Sequence, residues 1–487
     1  MDPSDPDTTR IGDPHSERRP DSTTEPVVRF DDREHHKSLI LDTCVGFVRA
    51  DEVDDVRDAI DWAAARSRSG HWVAGFVSYD AAPAFDPALQ VAGRGPGPLA
   101  WFGAFAGADG DAWTDVEPYH TSLWTPRMDL DTYRAAFRAV RDAIRRGDTY
   151  QVNLTFPVQA SISGDPRALY LGLVASQDVA HAAYLDLGDI QIASVSPELF
   201  FSVDGRHITT RPMKGTRPRG RWRPEDLACR SDLTTSPKDR AENLMIVDLI
   251  RNDLGRIATT GTVDPGSLFT IEAYRTVWQM TSEIRAELRS EVELVDVFDA
   301  LFPCGSVTGA PKASTMGIIS DVEPSPRGIY CGAIGMIPPG DGLDGAMFNV
   351  AIRTAIVDPH EGIATYGVGG GVTWDSQVDA EYAEALAKAA ALRPGSRIDG
   401  LFETLRWDGD WVLLDEHLDR LSWAAAVHEL AFDRYDAVRL LEELTDDIDG
   451  PARIRLTIDR RGDMRAESEP APDRFSTAPG PAAGVRT

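Results

Sequence analysis

The chain has 487 residues, more than one hydrophobic core usually supports, so two or three domains are expected. Hydrophobic residues make up 42% and charged residues 26%, ordinary for a globular protein, while a formal net charge of -28 argues against binding nucleic acid or an anionic membrane through bulk electrostatics. Four scattered cysteines with no C-x-x-C pair (Cys44, Cys229, Cys304, Cys331) suit a reducing cytoplasm better than a disulfide or zinc framework, and no stretch is apolar for the roughly 18 residues of a membrane span.

Residues 1–28 are rich in Asp, Pro, Ser, Thr and Arg without an apolar run and read as a disordered tail. Residues 29–120 alternate short apolar runs with turn residues: Ser38 to Asp42, Val73 to Tyr79 and Leu99 to Phe105 as strands, Val53 to Ser67 as a helix. Residues 121–392 form the largest block. Asp129 to Gly147 is its clearest helix, with Tyr133, Phe137, Val140 and Ile144 on one face. Strands are predicted at Tyr150 to Val158, Ala183 to Leu187, Ile190 to Val195, Leu199 to Val203 and His207 to Arg211. Ser236-Pro-Lys-Asp239 announces a helix running to about Asn252, with serine as cap, proline in the first turn and aspartate three residues on. Helices near Val292 to Leu301 and Ser376 to Leu392 bracket strands at Tyr330 to Ile337, Met347 to Val357 and Ile363 to Val368. Strands and helices interleave without a strict βα repeat, which points to an α+β fold. Residues 393–400 read as a linker. Residues 401–466 begin a fresh, smaller α/β pattern, a hairpin and then helices around Leu418 to Leu430 and Tyr435 to Leu444. Residues 467–487 read as a second tail.

Lys214 is one of very few lysines and lies in Arg211-Pro-Met-Lys-Gly-Thr-Arg-Pro-Arg-Gly220. Neighbouring arginines disfavour its ammonium form, and a neutral amine is what covalent catalysis by lysine requires. A basic loop punctuated by Pro212 and Gly215 explains the same letters. Asp239 and Glu242 share one helical face, as do Glu381 and Glu384. Such pairs suit a hard cation such as Mg²⁺, although Glu384 also makes an i,i+4 pair with Lys388 and a solvated acidic face accounts for each alone. The glycines of Tyr366-Gly-Val-Gly-Gly-Gly371, following a strand, could gather backbone N–H groups around an anion, or could mark a tight turn. Phe302 to Lys312 is a second Gly-rich segment, with two hydroxyls. Arg353, on an apolar strand, calls for a carboxylate partner. Glu198, a lone carboxylate between apolar strands, should have a raised pKa and suit a general acid.

Taken in order, SPELF, RPMKGTRPRG, KDRAENLMIVDLIRNDLG, FPCGSVTGAPK, RGIYCGAIG, FNVAIRT and YGVGGGVTWDSQVDAEYAEALAKA resemble the chorismate-utilising enzyme family, over roughly Ser38 to Leu392. The resemblance implies two large β-sheets flanked by helices, with chorismate and Mg²⁺ in the cleft. It implies Glu242 and Glu384 as metal ligands, with Asp239 and Glu381 as a nearby acidic shell. Thr216, Gln279, Ser306, Tyr330, Arg353, Lys388 and the amides of Gly370 and Gly371 become substrate contacts, and Glu198 the acid at the departing C4 hydroxyl. Within the family, anthranilate synthases carry alanine at the place of Lys214, whereas aminodeoxychorismate synthases carry P-x-K-G-T as here. That implies attack by Lys214 at C2, then addition of ammonia at C4, with anthranilate synthesis or a non-catalytic chorismate-binding role as alternatives. Gln151 stands where isochorismate and salicylate synthases have a water-activating lysine. Gln279 stands where many relatives have histidine, and an amide cannot titrate. With no G-x-C-x-G elbow in the chain, a separate glutamine amidotransferase subunit is expected to supply ammonia.

Gly400-Leu-Phe-Glu-Thr-Leu-Arg406 and Leu414-Asp-Glu-His-Leu-Asp-Arg-Leu421 resemble the N-terminal half of a fold-type IV pyridoxal-phosphate enzyme, the group containing aminodeoxychorismate lyase. Arg420 matches a phosphate-binding arginine. The cofactor is held as a Schiff base on lysine, and the last lysine is Lys388. No lyase activity is expected of the chain, and a separate lyase is expected downstream.

Overall fold

A computed structural model describes residues 25–471 except 33–36, 109–112, 114, 178, 221, 276, 393–398, 429 and 447. Most of both expected tails and of the linker therefore lies outside the described residues. Two compact units emerge: one of Met1–Arg217 with Asp232–Pro394, the other of Pro218–Ser231 with Gly395–Thr487.

The first unit is α+β and is built on two large antiparallel sheets. In one, the described strands run in the order Gly309–Ala310, Gln151–Gly164, Ile363–Val372, Thr354–Asp358, Gln191–Ser196, His181–Asp186, Val27–Asp32, Lys37–Leu41. In the other they run Ile284–Glu287, His207–Arg211, Leu199–Asp204, Met347–Val350, Ala333–Ile337, Trp72–Val77, Ala100–Phe105, Cys44–Ala50. A small third sheet places Val277–Thr281 between Met213–Pro218 and Thr270–Ala273. Ala74, Phe76, Trp101 and Ile334 of the second large sheet share an apolar cluster with Val28, Ala183, Leu185 and Ile192 of the first, so the two sheets face each other.

Local chemistry explains the helices. Leu130–Arg146 starts at Asp129, whose carboxylate accepts from Thr132 N, and ends at Gly147 in the left-handed region at φ 82°. Its predicted face is buried at Tyr133, Phe137 and Val140. Pro237–Gly255 starts at Ser236, whose hydroxyl accepts from Asp239 N, with proline in the first turn. The helices Pro166–Gln177, Arg223–Thr235 and Lys312–Val322 escaped the sequence reading, because the apolar stripes of all three are weak.

Two predicted strands need correction. Met347 to Val357 is not one strand: Met347–Val350 belongs to one sheet and Thr354–Asp358 to the other, and the chain crosses between them at Arg353, whose φ is 49°. The strand at 363 does not stop before the glycines. Ile363–Val372 continues through them, with Gly369, Gly370 and Gly371 opposite Thr155, Leu154 and Asn153. Glycine is required there because neighbours come close: a Cβ on Gly369 would lie 2.4 Å from Leu154 O, and one on Gly367 2.4 Å from the Tyr330 ring.

A buried ion pair ties this layer together. Arg327 and Glu323 are each 3% exposed. Arg327 donates to Val307 O and Asn153 O, both at 2.7 Å, while Glu323 accepts from Thr155 N and Thr155 Oγ1. Arg327→Met is expected to cost about 3–5 kcal/mol in urea unfolding, because it strands a buried carboxylate. The double change Glu323→Leu with Arg327→Met should cost less.

In the second unit, Trp411–Val412, Gly400–Trp407, Ala452–Asp459 and Met464–Pro470 form an antiparallel sheet in that order. Residues along Ala452–Asp459 alternate buried and more exposed. Ile454, Leu456 and Ile458 cluster with Leu418 and Leu421 of the helix Leu414–Val427 and with Ala437 and Leu441 of the helix Arg434–Thr445. The strand to Pro470 runs past residue 467, where a tail was expected to begin, and Val27–Asp32 likewise begins inside the expected N-terminal tail. Within Pro218–Ser231, Arg219 pairs with Asp226 at 2.8 Å.

Candidate active site

Lys214 sits on the strand Met213–Pro218, partly buried, and its pKa is lowered. The cause differs from the one expected. Burial is the chief cause, Lys388 adds to it, and Glu242, Glu198 and Glu384 oppose it. The arginines contribute little because each has its own carboxylate: Arg211 pairs with Glu272, Arg217 with Asp232 at 2.6 Å and Asp239 at 2.8 Å, and Arg219 with Asp226.

Glu198, 2% exposed at the start of Leu199–Asp204, is pushed up to about 7 by burial, against hydrogen bonding from Ser306 and the charge of Lys214. The Cys304 thiol lies 3.8 Å from Glu198 Oε1 and 3.2 Å from Ser306 Oγ. Cys304 escaped the sequence reading, although it lies in a segment singled out for its hydroxyls. Its signal was a cysteine between Pro303 and Gly305, a small apolar residue with a weak donor.

The glycine strand brings further groups to Lys214. A Cβ on Gly371 would lie 2.7 Å from Gln151 Nε2 and 3.3 Å from Lys214 Nζ, so both nitrogens face that backbone. Gln151 is fully buried, and neither of its amide atoms has a partner among the described residues. A Cβ on Gly370 would lie 3.5 Å from Glu381 Oε2 and 3.7 Å from Lys388 Nζ.

The acidic residues divide into free and committed groups. Glu242 Oε1 is buried with no hydrogen-bond partner, and Lys238 Nζ forms a loose ion pair with it at 3.8 Å. Burial raises the pKa of both Glu242 and Glu381. Glu384 is more exposed and pairs with Lys388 at 3.2 Å. Asp239, expected as a spare acidic neighbour, is spent on Arg217 and helps close the start of its helix. No group of three or more His, Cys, Asp or Glu side chains is arranged to hold a metal ion among the described residues.

Several expected substrate contacts are occupied within the protein. Lys388 Nζ donates to Gly369 O at 2.7 Å. Thr216 Oγ1 donates to Gln279 Oε1 at 2.9 Å, and Gln279 Nε2 donates to Gly215 O at 2.9 Å. The Tyr330 ring stands over Gly367. Arg353 belongs to a different set of residues. Its guanidinium donates to Gln177, the last residue of the unpredicted helix Pro166–Gln177, and has Tyr366 and Tyr274 nearby. Burial lowers its pKa, and among the described residues no carboxylate pairs with it. In the second unit, Arg420 is bonded to the buried carboxylate of Glu403, which His417 also approaches at 2.9 Å.

Comparison with known proteins agrees with the architecture. Over 268 residues the chain is 41% identical to aminodeoxychorismate synthase component 1 of Escherichia coli (strain K12), covering 55% of this chain and 58% of that protein. Over 282 residues it is 39% identical to an anthranilate synthase component 1 of Haloarcula marismortui, covering 57% and 55%. The chain spans little more than half the length of these curated relatives. A crystal structure of anthranilate synthase component I from Streptococcus pneumoniae TIGR4 superposes with a TM-score of 0.61 at 25% identity, over 79% of this chain and 96% of that one. Residues 400–479 match the amino-transferase class IV family. No helix among the described residues is long and apolar enough to cross a membrane. Residues 114–394, more than half of the chain and the part that carries Lys214, Glu198 and the glycine strand, match the chorismate binding enzyme family, and the chain belongs to it.

Proposed function

We propose that the chain aminates chorismate at C4 to give 4-amino-4-deoxychorismate, with Lys214 as nucleophile and Glu198 as acid. The observation that carries this reading is the pairing itself. A lysine whose pKa is lowered by burial lies within electrostatic reach of a carboxyl whose pKa is raised to about 7. Both shifts favour the uncharged forms, an amine able to attack and an acid able to donate. Lys214 Nζ then forms a bond to C2 as both ring double bonds shift along the diene and the C4–O bond breaks. Glu198 gives its proton to the departing hydroxyl, which leaves as water. Ammonia adds at C4 and gives up a proton to the Glu198 carboxylate, both double bonds return, and the C2–N bond to Lys214 breaks, leaving the amine. The sum is chorismate plus ammonia giving aminodeoxychorismate plus water.

Gln151 fits this outcome, since an uncharged amide beside Lys214 cannot serve as the base for water. Mg²⁺ would fit the acidic residues: the buried Glu242 oxygen that accepts no hydrogen bond suits a hard cation, Glu384 can join it on leaving Lys388, and Mg²⁺ would take its other ligands from substrate and water. When bound, the ion supplies Lewis-acid stabilisation at the ring carboxylate. Glu242→Gln is expected to weaken Mg²⁺ binding at least about tenfold in titration calorimetry with chorismate present.

A separate glutamine amidotransferase would deliver the ammonia. The "component 1" name of the Escherichia coli relative supports a partner chain. The chain would then depend on a separate lyase to reach 4-aminobenzoate. Arg420 is engaged by Glu403, and the sequence has no lysine after Lys388, so residues 400–471 do not fit pyridoxal phosphate.

The test is a product assay. Chorismate, Mg²⁺ and ammonium should yield an aminated product that added lyase converts to 4-aminobenzoate, with no anthranilate fluorescence. Prompt anthranilate formation would favour the second reading, that of the anthranilate synthases which the chain also resembles.

A further inference from the structure

Nothing holds Lys214 Nζ directly: among the described residues no hydrogen bond or ion pair fixes it. That suits a nucleophilic amine, since a carboxylate bonded to it would favour the ammonium form. Its position must therefore be set through the backbone.

The backbone on either side of it is tied down. Ser282 N donates to Pro212 O at 3.1 Å on one side. On the other side Gln279 makes both bonds. This residue, 5% exposed on the neighbouring strand Val277–Thr281, accepts from Thr216 Oγ1 and donates to Gly215 O, each at 2.9 Å. Gly215 holds φ at 94°, a conformation other residues rarely adopt, and a Cβ there would lie 3.0 Å from Asp239 Cβ. The two residues following Lys214 are thus clamped between the Gln279 amide and the start of the Pro237–Gly255 helix. An amide supplies one donor and one acceptor together and carries no charge. A glutamate would offer acceptors only, and its charge would favour the ammonium form of the lysine beside it.

We propose that Gln279 is a positioning residue, an uncharged brace that fixes Lys214 through Gly215 and Thr216 and does not contact the substrate. The kinetic consequence rests on the function proposed above; the brace itself does not.

The test uses the full chain with Gln279→Met and Thr216→Val, each in the native and the Lys214→Ala background. Gln279→Met is expected to lower kcat by about 10–100-fold, the scale of a small misplacement of a reacting group, and to leave KM and the calorimetric Kd for chorismate within about twofold. Thr216→Val, which spares the bond to Gly215, should lower kcat by roughly threefold and decides the matter if Gln279→Met does not fold. In the Lys214→Ala background neither change should lower the residual rate further, because a brace has nothing left to position. A Kd weakened tenfold in both backgrounds, or an undiminished kcat, would overturn the proposal. A second readout needs no turnover: acetylation of Lys214 by acetic anhydride, followed by peptide mass spectrometry. It should differ at least about threefold between native protein and Gln279→Met, since nucleophile placement governs amine reactivity. Equal rates overturn the brace, whereas a native chain that forms no aminodeoxychorismate overturns only the proposed function.

Discussion

Lys214→Ala is expected to lower aminodeoxychorismate formation by on the order of 10³-fold while chorismate still binds. The reason is that, among the described residues, the amines of the neighbouring Lys388 and Lys238 are engaged elsewhere. Lys388 is held by Gly369 O and Glu384, and Lys238 stands 3.8 Å from Glu242 on the adjoining helix. The measurement is the lyase-coupled rate at saturating ammonium and Mg²⁺, with chorismate affinity taken separately by calorimetry. A variant that kept its full rate would remove the covalent role of Lys214 and leave the family membership untouched. A variant that lost chorismate binding would assign the lysine to substrate recognition instead.

Glu198→Gln should lower kcat by about 10²–10⁴-fold, the range for loss of a general acid, and at the same time stabilise the protein at alkaline pH. In the folded chain the carboxyl titrates at about 7, against 4.5 without the fold, so the folded state holds the proton more tightly. Below pH 4.5 the group is neutral in both states and costs nothing. Between 4.5 and 7 the unfolded chain ionises while the folded one does not, and above 7 a buried charge has to be maintained. That shift corresponds to about 3 kcal/mol. Glutamine carries no such charge, so the variant should match the native chain below pH 4.5 and melt a few degrees higher at pH 8. Scanning calorimetry at the two pH values checks it. Equal melting at pH 8 would mean that Ser306, Cys304 and Lys214 compensate the carboxylate fully, and that it is not poised as an acid.

The parts of this protein that could be read from the sequence are those governed by near neighbours. The helix Leu130–Arg146 was legible because its cap, its left-handed glycine and its apolar face all lie within a few residues of one another. The Ser236 cap was legible for the same reason. So was Glu198, since apolar neighbours on both sides announced its burial. The motifs around Lys214, Glu242 and Glu384 likewise announced the family before any pairing of strands was known.

What the sequence left open concerns contacts between distant segments. Arg353 falls in an apolar run that reads as one strand, but its two halves pair with partners in different sheets, and the arginine marks the crossing. The glycines at 369–371 read as a loop because glycine is a poor strand former. They lie in a strand, where Leu154 and Thr155 leave no room for a side chain at Gly369 and Gln151 leaves little at Gly371. Lys214 looked perturbed by its arginines, since sequence displays neighbours and not partners. Folding gave each arginine a carboxylate and left burial to lower the lysine. Gln279 shows the same limit: its two bonds reach across to another strand, to residues more than sixty positions earlier in the chain. The sequence by itself determined the family and the helices with clear caps or a strong apolar face, such as Leu130–Arg146 and Pro237–Gly255, because caps, periodicity and motifs are local. Only the tertiary structure decided which groups are paired off and which remain free to react, because hydrogen bonds and desolvation depend on distance in space.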